Sequence, residues 1–175
     1  PLKNPEKNYF LAVSALVPYK RNKLLVEAFN RLGERLIVVG RGSEEKKLKK
    51  LAGKTIEFKS DISTEALKQL YQNARAYVFA GIEDFGISFV EAQACGVPVV
   101  AFKRGGVLDI VEDEKTGILF EDQGIETLMA AIEKCKEMEN NRPHGFSTAD
   151  IRKNSLRFSA EVFRQKMKIY FQERR

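Results

Sequence analysis

In the segment EDFGISFVEAQACG, Glu83 and Glu91 stand eight positions apart, with Gly86 between them and Gly96 closing the run. A helix that starts near Gly86 leaves its first N–H groups free. The partial positive charge there is worth about 0.3–1 kcal/mol to an exposed anion, and a glycine lets that anion approach the backbone. Glu91 then lies little more than one turn inside the helix, on the face shared by Ile87 and Ser88. Helical side chains tilt toward the N-terminus, so its carboxylate reaches back toward the same ligand. A carboxylate is repelled by phosphate, so its useful partner is a neutral hydroxyl pair such as a ribose diol. Glu83, ahead of the helix, is placed to accept hydrogen bonds from hydroxyls at the ligand's far end. Two acids flanking an anion-binding helix start therefore suit a diphosphate with hydroxylated rings at both ends, a nucleotide-sugar. The residues alone leave a second reading open, in which Glu83 caps the helix and Glu91 is simply solvated.

The elements that must position these groups are legible as alternating apolar runs and helical patterns. YFLAVS (9–14), RLIVVG (35–40), TIEFKS (55–60), AYVFAG (76–81), VPVVAF (97–102) and TGILF (116–120) read as strands. Between them KLLVEAFNRL, EEKKLKKLA, TEALKQLYQNA, FGISFVEAQACG and GGVLDIVED read as helices. Six strands joined through five helices predict a parallel sheet covered on both faces, an α/β domain of Rossmann-like three-layer α/β/α form. In such sheets ligands bind outside the carboxyl ends of the strands. Three strand-to-helix loops carry suitable residues: Val17-Pro18-Tyr19-Lys20, Gly81 to Gly86, and Lys103-Arg104-Gly105-Gly106, whose glycines are expected to admit a ligand. After Phe120 the rhythm breaks into one more helix over 126–138, a polar loop containing His144, read as a surface residue, and two helical stretches over 147–175. Residues 1–138 are thus the expected core. The last stretch carries Phe158, Val162, Phe163, Met167, Ile169, Tyr170 and Phe171, more apolar surface than the edge of one small domain needs, which predicts packing on something outside this chain.

Composition excludes several classes. The 175 residues suffice for one domain, and 43% hydrophobic with 31% charged content is ordinary for a globular chain. The net charge of +6 is spread out; its densest run, KKLKK at 46–50, is interrupted at helical spacing by Leu48 and Leu51, so a solvated helix face is expected and no nucleic-acid partner. YKRNK (19–23), where a strand hands over to a helix, suits a small anion instead. No apolar run approaches the roughly 20 residues of a membrane span, and the N-terminal stretch lacks a leader pattern, which predicts a cytoplasmic location. Cys95 and Cys135 fall in helical patterns without metal or disulfide spacing and are expected as buried free thiols. There is no D-x-D, and Glu112-Asp113-Glu114 reads as the polar end of a helix, so no metal cofactor is expected. VPYKRNK after the first strand, in place of G-x-G-x-x-G, disfavours a dinucleotide site.

EDFGISFVEAQACGVPVVAF resembles the glutamate-pair motif of retaining glycosyltransferases of GT-B fold, family 4 (group 1), mannosyltransferases among them. VSALVPYKRNKLLVEAFNRL, VVGRGSEEKKLKKLAG, YQNARAYVFAGIEDFGI, GGVLDIVEDEKTGILF and RFSAEVFRQKM follow in that family's order, over nearly the whole chain. The resemblance implies the C-terminal, donor-binding half of such an enzyme, inactive alone, whose final helix crosses onto an N-terminal acceptor-binding domain. Carried over by position, it makes Glu91 the ribose acceptor and Glu83 a ligand of donor-sugar hydroxyls. Phe85, Gly86, Ile87 and Ser88 would offer N–H groups to sugar and diphosphate, with Asp84 among the donor-binding residues. Lys20 would neutralise the leaving diphosphate, and Ile62 would lie near the base. An arginine common in the family five residues before the lysine is here Ala15; Arg21 or Arg104 are the candidates to replace it. The combination of VPYKR and EDFGI resembles users of GDP-mannose rather than UDP-glucose. The implied acceptor is a glycan or lipid-linked sugar, with peripheral contact to the inner membrane face. The remaining alternatives are half of a nucleotide-sugar epimerase, or a stand-alone nucleotide-sugar binding module.

Overall fold

Short apolar runs flanked by glycine and polar residues become the strands of one sheet: β1 (Phe10–Val13), β2 (Leu36–Val39), β3 (Ile56–Lys59), β4 (Tyr77–Phe79), β5 (Val99–Phe102) and β6 (Gly117–Phe120). The structure, a computed structural model, describes residues 7–140 and 145–172. The helices α1 (Asn22–Leu32), α2 (Glu45–Leu51), α3 (Thr64–Asn73), α4 (Ile87–Ala94) and α5 (Val107–Ile110) connect successive strands, followed by α6 (Ile125–Asn140), α7 (Thr148–Ser155) and α8 (Ala160–Gln172). The strand order is β3-β2-β1-β4-β5-β6, every pair parallel, with registers such as Phe10 opposite Leu36 and Tyr77 opposite Val99. The predicted alternation of six strands with five helices is thus the observed Rossmann-like fold.

Side chains alternate across a strand, and here both faces are buried. Phe10, Val38, Val78, Val100 and Ile118 point to one side, where they meet Leu25 and Phe29 of α1, Leu48 of α2 and Leu128 and Ile132 of α6. Leu11, Ile37, Tyr77, Phe79 and Val99 point to the other, against Tyr71 of α3, Phe89 of α4 and Ile110 of α5. The order of strands reverses between β1 and β4, which places a crevice at their carboxyl ends.

Several expectations need correction. The helix predicted over GGVLDIVED is only the single turn of α5, so Glu112-Asp113-Glu114 lies past its end, in the turn into β6; Asp113 accepts the Leu119 N–H at 2.9 Å. Cys135 is buried, but Cys95 is only half-buried. Phe158, expected to pack outside the chain, packs against Phe85 of the same chain, edge to face with ring centroids 5.8 Å apart. His144 lies outside the described residues.

Candidate functional site

The crevice between β1 and β4 brings together two loops that are far apart in sequence. After β1 the chain turns through a 3-10 turn, Pro18–Lys20; proline presets its φ, and Arg21 closes it in the left-handed region at φ 56° before α1 begins. This turn drives Lys20 inward to 8% exposure, its ammonium 4.9 Å from the Tyr19 ring centroid and 5.8 Å from that of Phe79. After β4, Gly81 to Gly86 leads into α4. Glu83 from this loop is ion-paired with Lys20. The residue assigned to the diphosphate and the residue assigned to the donor sugar are therefore each other's partners. An ammonium at this depth needs a counter-charge, and the half-exposed Glu83 supplies it.

Gly86 adopts φ 89°, and a Cβ there would stand 2.3 Å from the Phe89 ring; only glycine allows the chain to turn so tightly into α4. The N–H groups of Ile87 and Ser88 open the helix, and no backbone acceptor among the described residues takes them. The glycines of the loop after β5 have a different role from the one expected. A Cβ on Gly105 would lie 2.4 Å from the Glu83 carbonyl oxygen, and one on Gly106 2.4 Å from those of Asp84 and Phe85, while the Gly106 N–H donates to the Glu83 carbonyl at 2.8 Å. They admit the Glu83–Phe85 backbone, not a ligand, and so fix that loop from beneath.

One turn into α4, Glu91 is exposed on the helix surface. Its Oε2 accepts a 2.9 Å hydrogen bond from the Tyr71 hydroxyl of α3. Ser88 Oγ lies 2.9 Å from the Tyr77 hydroxyl, which also donates to the Val13 carbonyl at the end of β1 at 2.9 Å. Burial is the main cause that pushes both phenols well above their ordinary pKa, so each remains a protonated donor. Sequence reasoning missed these tyrosines. The signal was present: Leu67, Leu70 and Tyr71 share the apolar stripe of α3, and a hydroxyl at the tip of a core ring must find a partner.

The other expected residues surround the same edge. Asp84 and Phe85 are exposed beside Glu83, and Ile62 lies half-buried in the loop between β3 and α3. Arg21 lines a shallow cleft of about 410 Å³ with Pro18, Tyr19, Ile82 and Gln123, near Lys20. Ala15 is exposed, and its carbonyl accepts from Asn22 at 3.1 Å; Arg104 is exposed on the loop after β5. A cleft of about 520 Å³ lined by Glu112, Lys115, Asp150 and Lys153 also exists, but at the amino end of β6, away from the switch point. Among the described residues no cluster of three His, Cys, Asp or Glu side chains is arranged to hold a metal ion, and no helix is long and apolar enough to cross a membrane.

Residues 1–152 match the family model of glycosyl transferases group 1. The chain is 31% identical over 147 residues to a GDP-mannose-dependent alpha-(1-6)-phosphatidylinositol monomannoside mannosyltransferase of Mycobacterium tuberculosis, covering 73% of this chain and 38% of that protein. It is 34% identical over 151 residues to the D-inositol 3-phosphate glycosyltransferase of Mycobacteroides abscessus, covering 79% of this chain and 33% of that one. In three dimensions it is similar to sucrose-phosphate synthase from Thermosynechococcus elongatus, with a TM-score of 0.83 at 26% identity over 99% of this chain and 46% of that one. The chain thus spans about a third of the curated relatives' length, 38% and 33%. A doubly wound sheet, a basic turn and a glutamate-flanked helix start at its switch point, and a family match over 152 of 175 residues agree: this chain belongs to the glycosyl transferases group 1 family.

Proposed function

We propose that this chain is the donor-binding part of a retaining glycosyltransferase that takes a hexosyl group, mannose from GDP-mannose, to a glycan or lipid-linked acceptor. The observation that carries the reading is the meeting of Lys20 and Glu83 at the switch point, directly ahead of the free N–H groups of α4 and one turn before Glu91. In this reading the diphosphate takes Lys20 as its counter-charge, assisted by Arg21 and the N–H groups of Phe85, Gly86, Ile87 and Ser88. Glu83, released from Lys20, accepts from the sugar hydroxyls with Asp84 beside it; Glu91 accepts from the ribose diol; Ile62 borders the base. The bond that breaks joins the anomeric carbon to a diphosphate oxygen, and its electron pair leaves with the diphosphate. A fixed ammonium and fixed N–H dipoles stabilise that charge without reorganising, and no metal ion shares the task in this reading.

The rest of the cleft is assigned to an N-terminal domain of the same longer protein, packed on the exposed Phe163 and Phe171 of α8. The name of the Mycobacterium tuberculosis relative supports mannose as the sugar and a lipid as the acceptor class. A net charge of +6 favours work at the cytoplasmic face of an anionic membrane. The test is calorimetric titration of the 175-residue chain with GDP, UDP and GDP-mannose, followed by incubation with labelled GDP-mannose and an acceptor panel. Binding of GDP in preference to UDP, without transfer, is expected. A chain that binds no nucleoside diphosphate overturns the reading, and transfer by this chain alone overturns its division into halves.

A further inference from the structure

Two buried phenols reach the underside of α4, and each ends on one of its site-facing side chains. Tyr77, fully buried in β4, meets Ser88; Tyr71, 2% exposed on α3, meets Glu91. Their rings lie 6.0 Å apart, so they form one rigid pair between sheet and helix layer. We infer that Tyr71 is a positioning residue whose hydroxyl holds the Glu91 carboxylate in the orientation that accepts a ribose diol. The inference rests on the donor-site reading of Glu91 given above.

The physical argument begins with the exposure of Glu91. A glutamate on a solvated helix face moves freely among rotamers, and a ligand that needs one of them must order the side chain as it binds. Tyr71 performs that ordering in advance. Its ring is locked in the core, so its hydroxyl is a fixed donor, and it occupies Oε2 at 2.9 Å. Oε1 accepts no hydrogen bond among the described residues and remains for the diol. A carboxylate has acceptor sites enough for both partners. The phenol also suits the task chemically: a charged donor such as lysine would weaken the carboxylate's pull on neutral hydroxyls, whereas a neutral donor orients it and leaves its charge in place. Packing alone does not require this bond, because phenylalanine would fill the same core position.

Calorimetric titration of GDP and 2′,3′-dideoxy-GDP against wild type, Tyr71→Phe, Glu91→Ala and the double variant, with a melting curve for each, tests the inference. Wild type is expected to prefer GDP. Tyr71→Phe should weaken GDP about fivefold, the scale of ordering one long side chain on binding, and leave dideoxy-GDP unchanged. In the Glu91→Ala background the same substitution should change neither ligand, because the partner to be positioned is gone. If Tyr71→Phe keeps the full preference for GDP, or weakens both nucleotides equally with a fall in melting temperature, the positioning role is overturned while the donor site stands. If wild type binds both nucleotides equally, or binds neither, the reading of Glu91 as ribose acceptor falls and the inference falls with it.

Discussion

Lys20 is the one buried charged side chain among the described residues, and its partner is the acid that the proposed chemistry needs elsewhere. Sequence spacing could not reveal this, because the two residues are 63 positions apart and meet only when β1 and β4 become neighbours. What spacing did reveal was the local part: a glycine-started helix with Glu91 one turn inside. The ion pair changes what each variant should do. Lys20→Ala removes the diphosphate's counter-charge, so GDP should weaken by about 1.5–3 kcal/mol while guanosine hardly changes. Glu83→Gln leaves a buried ammonium without its carboxylate, so GDP should bind several-fold more tightly, since it no longer competes with Glu83, while the added affinity from the mannose of GDP-mannose is lost. Titration of both variants with guanosine, GDP and GDP-mannose gives the comparison. A weaker GDP complex in Glu83→Gln would mean that the carboxylate supports the diphosphate site and does not compete for it.

At the scale of elements, α4 carries the site and is held by a polar joint that apolar periodicity does not show. Gln93, on its buried face, donates to Thr116 at 3.1 Å and accepts from Asn154 of α7 at 2.6 Å; Asn154 also donates to the Ile110 carbonyl at the end of α5 at 2.6 Å. The strands were legible because a sheet buried on both faces writes itself as continuous apolar runs, and the helices because their stripes recur at helical spacing. The joint was not, because Asn154 and Gln93 read as ordinary polar helix residues until α7 folds back on α4. Asn154→Ala should cost about 1–3 kcal/mol, because the Gln93 amide oxygen and the Ile110 carbonyl lose a donor inside the core. Denaturant unfolding of the variant measures this, and a loss below about 0.5 kcal/mol, the range of ordinary surface changes, would show that water replaces the amide.

For the whole molecule, the sheet divides two apolar layers, and each layer buries groups that ionise at high pH: Cys135 on the α6 side, Tyr71 and Tyr77 on the α3 and α4 side. Beyond them α8 stands apart with Phe163, Ile169 and Phe171 exposed, so its apolar face adds little to the stability of this chain. The alkaline limb of stability therefore belongs to the core. Burial pushes the Cys135 thiol from its ordinary 9.0 up to about 12. A group that holds its proton more tightly when folded contributes stability that is complete below its unfolded pKa and is lost as pH rises through the interval between the two values. For Cys135 that interval opens at pH 9, whereas the phenols, ordinarily at 10.0, and the lysines raised by carboxylate partners, ordinarily at 10.5, enter later. Cys95, pushed in the same direction but half-buried, adds less to the early part. Unfolding free energy should then be flat from pH 7 to 8 and should fall by pH 10, with about 1 kcal/mol of that fall due to Cys135, since one unit of pH inside the interval corresponds to about 1.4 kcal/mol. Cys135→Ala lowers stability at every pH through the space it leaves, but its curve should descend less steeply between pH 8 and 10 than that of wild type. Urea unfolding of both proteins at half-unit steps across that range supplies the two slopes. Parallel curves would show that water reaches this thiol in the folded chain and that the α6 layer is looser than its packing implies.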